Sequence, residues 1–180
     1  DTQISRRCNA DTLRGWPPRY GGRHRGLYFS PDKLLWMTSL EKQVVEILDS
    51  DNSKEYPYSD LSYQVIGCAM KVLNYYGPWY VEYVYQKGLE LVLKKAGIPF
   101  IAKEEIPIYF EGERTGAVLK PDFLIDDKII VEIKALPELN QKNIKQILSY
   151  MKAAEKELGL LINFGTTHLE VKRYILSNKQ

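Results

Sequence analysis

The chain has 180 residues, 44% of them apolar and 27% charged, which suits one compact domain with a modest appendage and excludes a fibrous or disordered chain. Its 25 Lys and Arg stand against 23 Asp and Glu, a net charge of +2 that does not by itself announce a nucleic-acid-binding protein. The charge is unevenly placed: residues 1–33 carry seven basic side chains against three acids, a net of +4 that leaves −2 for residues 34–180.

Residues 1–33 read as an irregular basic arm, because Gly15, Trp16-Pro17-Pro18, Gly21-Gly22, Gly26 and Pro31 interrupt any period. Its arginines, Arg23 and Arg25 among them, suit phosphate groups; a plain solvated tail is the other reading. The capping box from Thr38 to Glu41, with Leu40, Val44, Ile47 and Leu48, predicts a short amphipathic helix over 38–48. A polar linker, 49–57, then separates this leading part (1–57) from a domain over 58–180.

That domain opens with a helix from Ser59, marked by Leu61, Val65, Ile66, Ala69, Val72 and Leu73 and stopped by Gly77-Pro78. A second helix is predicted over 79–96, ended by Gly97. The period then changes to alternation over 105–110, with a turn at Glu111-Gly112-Glu113. Strands over 117–125 and 129–135 are joined at Asp126-Asp127-Lys128 as a hairpin. A helix over 139–157 and strands over 160–164 and 169–176 complete the domain. A three-strand meander crossing through a helix to further strands makes an α/β fold, a mixed central sheet of about five strands flanked by helices. Cys8 and Cys68 are too sparse for a disulfide framework or a Cys-rich metal site, no apolar run approaches 18 residues, and no secretory core is visible, so a cytoplasmic protein away from membranes is expected.

The strand over 129–135 carries the most chemistry. Ile129, Val131 and Ile133 line one face, while Ile130, Glu132 and Lys134 line the other, so two charges share a face that its apolar neighbours mark as covered. With a three-residue hairpin loop, Asp122 falls opposite Glu132, at about 4.5–5.5 Å between Cβ atoms. Carboxylates that close repel unless a cation bridges them, and an oxygen-ligated divalent ion resolves the conflict. Lys134 can then position a water or stabilise developing negative charge. Glu82 lies on the same helical stripe as Tyr85 and Leu89, so its carboxylate points at the sheet. On the helix over 139–157, Gln146 and Tyr150 border the packing stripe on one side, and Lys142, Lys145, Lys152 and Lys156 border it on the other, where they can follow a phosphate backbone.

Pro121-Asp122 followed by Glu132-Ile133-Lys134 resembles the PD-(D/E)xK signature of a large nuclease superfamily. Gln146-x-x-x-Tyr150 is similar to the QxxxY motif of lambda-exonuclease-like enzymes and of the nuclease domains of bacterial recombination helicases. Leu61-Ser62-Tyr63, Gly77-Pro78, Glu82-x-x-Tyr85, the segments around Asp122 and Glu132, and Leu160-Leu161-Ile162-Asn163-Phe164-Gly165 follow in an order that resembles the GxxExxY family within that superfamily, over about 58–176. The glycine that opens the pattern is Trp79 here, although Gly77 is kept.

The resemblance implies a restriction-endonuclease-like core using Mg or Mn. Asp122, Glu132, the Ile133 carbonyl and Glu82 then match the metal-binding set, Lys134 the catalytic lysine, and Gln146, Tyr150 and Tyr85 auxiliary positions. It implies metal-dependent hydrolysis of nucleic-acid phosphodiesters, with DNA the expected polymer and end-processing favoured by analogy with QxxxY. The rival reading is a non-catalytic nucleic-acid-binding or partner-docking module of a repair or defence complex, its protein partner held through residues 1–57.

Overall fold

The computed structural model describes residues 44–47 and 56–176. Strand β1 (Val44–Ile47) is followed by helices α1 (Ser59–Tyr76) and α2 (Glu82–Ala96). Strands β2 (Phe100–Ala102), β3 (Ile106–Phe110), β4 (Glu113–Leu119), β5 (Phe123–Ile125) and β6 (Ile129–Lys134) come next. Helix α3 (Gln141–Ala153) then crosses to β7 (Leu158–Asn163) and β8 (Glu170–Leu176). Six strands form one sheet in the order β1-β8-β7-β6-β5-β2, and β3 with β4 form a separate two-stranded sheet. Among the described residues only the β6–β7 pair is parallel, and the other pairs are antiparallel.

Helices cover both faces of the large sheet, which is why β6 and β7 are buried at every position. Val65, Val72, Leu89 and Leu93 of α1 and α2 pack with Ile129, Val131 and Ile133 on one face. Ile147 and Met151 of α3 pack with Leu124, Ile130 and Leu161 on the other. Helix α2 ends at Gly97, whose left-handed φ of 70° lets its N–H reach the carbonyls of Leu93 and Lys94. Helix α3 starts in a capping box, the Asn140 and Asn143 side chains each bonding the other's backbone N–H.

The architecture agrees with the mixed sheet and flanking helices expected from the pattern, but several elements differ. Val44–Ile47 is a strand, not part of a helix over 38–48, and it pairs with the outer edge of β8 from Val44 opposite Leu176 to Ile47 opposite Arg173. Val44, Val45 and Ile47 are β-branched and stiff at χ1, and an open strand edge rewards them more than an isolated short helix does. The expected strand over 117–125 is broken, because Pro121 has no N–H to continue a ladder. The chain therefore leaves the small sheet after Leu119 and enters the large one at Phe123. The third difference is β2, a three-residue strand pairing with β5 that is too short to show a period. Helix α3 also stops earlier than 157, since Leu158 pairs with Ile129 in the sheet. The basic arm and the linker 49–55 lie outside the described residues. No helix among the described residues is long and apolar enough to cross a membrane, and Cys68 is a free, buried thiol that burial pushes up in pKa.

Candidate active site

The β5–β6 hairpin turns through Asp126–Lys128 with Ile125 opposite Ile129 and Phe123 opposite Val131. One step beyond the last pair brings Asp122 across from Glu132, the juxtaposition expected from a three-residue loop. Pro121 ends the preceding strand just before this point, so Asp122 is delivered at the start of β5 with its side chain on the α3-covered face. Asp122 is 1% exposed, Glu132 3% and Lys134 8%.

These charges are tightly tied. Asp122 Oδ2 accepts from the Ile133 N–H at 2.6 Å, and the Asp122 N–H approaches Glu132 Oε2 at 3.4 Å. Lys134 Nζ donates to Glu132 Oε1 at 2.7 Å and lies 3.6 Å from Glu82 Oε2. Glu82 is the first residue of α2, so a helix N-terminus faces the cluster and its dipole favours negative charge there. The remaining cation is Lys103, just past β2, whose ammonium pairs with Asp122 Oδ1 and whose N–H donates to the Asp122 carbonyl at 3.1 Å.

Burial is the main force on Glu132, and with the neighbouring Asp122 charge it pushes the carboxyl up to about 7 even though Lys134 opposes. Glu82 is raised by burial too, with Lys134 pulling it down and Asp122 pushing it up. Burial alone would lower Lys134, but Glu132, with Glu82 and Asp122 adding, holds its ammonium above the ordinary lysine value. Lys103 behaves the same way, Asp122 outweighing its desolvation. With all five groups ionised, three carboxylates face two ammoniums, and the cluster is short of one positive charge.

That deficit fits a hard divalent cation, because every available donor is oxygen. Among the described residues no three His, Cys, Asp or Glu side chains close on one point. Such an ion would therefore sit on Asp122 and Glu132, with the rest of its shell from backbone carbonyl, water and substrate oxygen. Glu82 joins the cluster through Lys134.

The other expected residues divide. Gln146 Nε2 donates to Tyr150 Oη at 2.9 Å, so the pair acts as one unit on the α3 side of the sheet, and no hydrogen bond among the described residues joins it to the acids. The fully buried Tyr85 donates its hydroxyl to the Gly77 carbonyl at 2.6 Å, accepts from the Tyr80 N–H at 3.1 Å, and stacks on Phe164 with centroids 4.6 Å apart. It pins the α1–α2 turn from which Glu82 emerges. The positive φ of that turn falls at Gly77 and not at position 79, which is why Trp79 is accepted there. Lys142, Lys145 and Lys152 are exposed on α3; Arg23 and Arg25 lie outside the described residues.

Two residues that matter here were not singled out from the sequence. Lys103 follows a strand too short to recognise, and its only signal was an acid pair needing a second cation. Asn163 ends the otherwise apolar run 158–162, which was a visible anomaly. It is fully buried, pairs in register with Lys134, accepts from the Leu136 N–H at 2.9 Å and donates to the Leu136 carbonyl at 2.9 Å. Together with the Phe164 N–H on the Lys134 carbonyl at 2.7 Å, it clamps the backbone leaving Lys134.

A family model described as the PD-(D/E)XK nuclease superfamily matches residues 59–174, which span all of these side chains except those of the arm. No curated protein matches the chain, and no solved structure does.

Proposed function

The chain belongs to the PD-(D/E)XK nuclease superfamily, and from the geometry of its site we propose that it is a divalent-metal-dependent enzyme hydrolysing DNA phosphodiester bonds, of the GxxExxY type. The observation that carries this reading is the buried pair Asp122 and Glu132, short of positive charge, with Lys134 held 2.7 Å from Glu132. Asp122 and Glu132, with the Ile133 carbonyl and with Glu82 at the border, would hold Mg²⁺ or Mn²⁺. When bound, such an ion lowers the pKa of a water and offsets charge on the phosphate oxygens.

The chain's own groups supply the rest. The Ile133 N–H and the Lys103 ammonium each hold one oxygen of Asp122 and so fix its carboxylate, and Glu82 and Glu132 hold Lys134 protonated at the mouth of the pair. A protonated Lys134 orients the attacking water and stabilises charge as it develops on the phosphorane. The Gln146–Tyr150 pair, on the same side of the sheet, holds the strand end, and the exposed Lys142, Lys145 and Lys152 contact flanking phosphates.

The test is cleavage of labelled single- and double-stranded DNA and RNA in Mg²⁺, Mn²⁺ or EDTA. Asp122→Asn and Lys134→Ala should each lower the rate at least about 100-fold while the melting transition is kept, as loss of a transition-state donor does. Full activity in both variants overturns the assignment.

A further inference from the structure

The turn that delivers Glu82 is unusually aromatic. Between residues 75 and 85 lie Tyr75, Tyr76, Trp79, Tyr80, Tyr83 and Tyr85. Trp79 is 84% exposed and Tyr75 83%, and Tyr80 and Tyr83 are also exposed. Large aromatics left in water at such density mark a binding surface.

The rings are not loosely hung. Tyr76 meets Tyr75 edge-on at 5.1 Å and Tyr80 at 5.4 Å, and it meets the buried Tyr85 at 6.3 Å, which in turn stacks on Phe164 of the core. Trp79 lies over Gly77, where an added Cβ would fall 2.9 Å from its indole. Tyr75 and Tyr80 therefore stand on a braced aromatic column, while the Tyr83 ring has the Lys87 ammonium 5.7 Å from its centroid. A braced ring loses little freedom when something stacks on it.

Position and charge select the occupant. Trp79 is three residues from Glu82, at most about 11 Å of chain, the length of roughly three stacked nucleotides of one strand. Between Lys71 and Lys87 the one carboxylate is Glu82 itself, so this stretch of chain offers a phosphate backbone no other negative charge. Its exposed residues at this corner are chiefly Tyr and Trp, whose flat faces accept any base, and stacking of that kind is tolerant of sequence.

We propose that Trp79, Tyr83, Tyr80 and Tyr75 form a stacking platform for unpaired bases next to the scissile phosphate, so that the substrate is single-stranded or frayed DNA. This rests on the nuclease reading for the identity of the neighbouring site, but it is measurable without cleavage.

The experiment uses the full chain in EDTA and fluorescence anisotropy with three probes: a single strand, a blunt duplex of the same sequence, and a single strand of equal phosphate count carrying abasic sites. Trp79→Ala and Tyr83→Ala should weaken single-strand binding about 5- to 150-fold each, the loss expected for a stacked base. Blunt-duplex binding should change less than about threefold by the same reasoning. Trp79→Phe should keep most of the affinity, and the abasic strand should bind the wild-type chain as weakly as the normal strand binds Trp79→Ala. Unchanged single-strand binding in both alanine variants, or equal wild-type affinity for normal and abasic strands, overturns the platform and leaves the surface to a protein partner. Adding Mg²⁺ separates the two readings. Base-dependent binding without any cleavage by the wild-type chain upholds the platform and removes the nuclease assignment.

Discussion

Replacing Glu132 by Gln should stabilise the metal-free protein and destroy its activity. Glu132 ionises at an ordinary value of 4.5 when unfolded, and the folded site pushes it up to about 7. The folded state therefore holds the proton more tightly than the unfolded chain between those two values. The associated stability is fully present below pH 4.5 and is lost as pH rises through about 7. The gap, at about 1.4 kcal/mol per pH unit, is on the order of 3 kcal/mol at pH 8. Glutamine keeps the shape without the charge, so Glu132→Gln should exceed wild type by up to that amount at pH 8 and by less than about 1 kcal/mol at pH 5. For a chain of this size 3 kcal/mol corresponds to roughly 6–12 °C in melting temperature. Urea or thermal melts in EDTA at the two pH values, with cleavage in Mg²⁺ alongside, measure both halves. A variant less stable than wild type at pH 8, or a difference that does not grow with pH, refutes the claim that burial and the Asp122 charge set the state of Glu132.

Three further outcomes follow from the same site. Asn163→Ala removes both partners of the Leu136 backbone, which should cost about 1–3 kcal/mol in urea melts; because the segment leaving Lys134 is then loosened, kcat should fall while KM holds. Gly165→Ala places a Cβ 2.3 Å from the Leu136 carbonyl oxygen and 2.4 Å from its nitrogen, so backbone must move. Its melting temperature should drop by several degrees or more, the usual result of overpacking by about 1–3 kcal/mol. Mg²⁺ at 100 times its dissociation constant should raise wild-type stability by about 2.7 kcal/mol, and Asp122→Asn should abolish the gain in a thermal melt.

What could be read in advance was whatever rests on a period or a local rule. The C-terminal ends of α1 and α2 follow from Gly77-Pro78 and Gly97, although α2 starts at Glu82 rather than at 79, and the Asp122–Glu132 pairing follows from the length of one hairpin loop. What could not be read depends on partners distant in sequence. Val44–Ile47 carries a helical cap signal before it and becomes a strand because β8, some 130 residues later, offers an edge. Lys103 is an ordinary surface lysine until β2 pairs with β5 and brings it onto Asp122. Asn163 was the intermediate case. Its position at the end of an apolar strand was anomalous, but only the parallel register with β6 shows that it serves Lys134.

The location of the cluster explains why so small a set of residues is enough. Strand β6 is where the sheet changes from antiparallel pairing with β5 to parallel pairing with β7. A parallel pair needs its crossover helix on one face, so α3 covers that side, while α1 and α2 cover the other. At the carboxyl end of β6 the start of β5, the end of β7 and the N-terminus of α2 all converge, and open α/β sheets bind ligands at such switch points. Four elements bring five groups together: Asp122 just ahead of β5, Glu132 and Lys134 from β6, Asn163 from β7, and Glu82 from α2. Folding alone does not call for the four charged groups among them, since apolar packing on both faces would serve the sheet as well or better. The near-neutral charge of the chain thus conceals a local deficit of one positive charge at this edge, which a bound divalent cation would relieve.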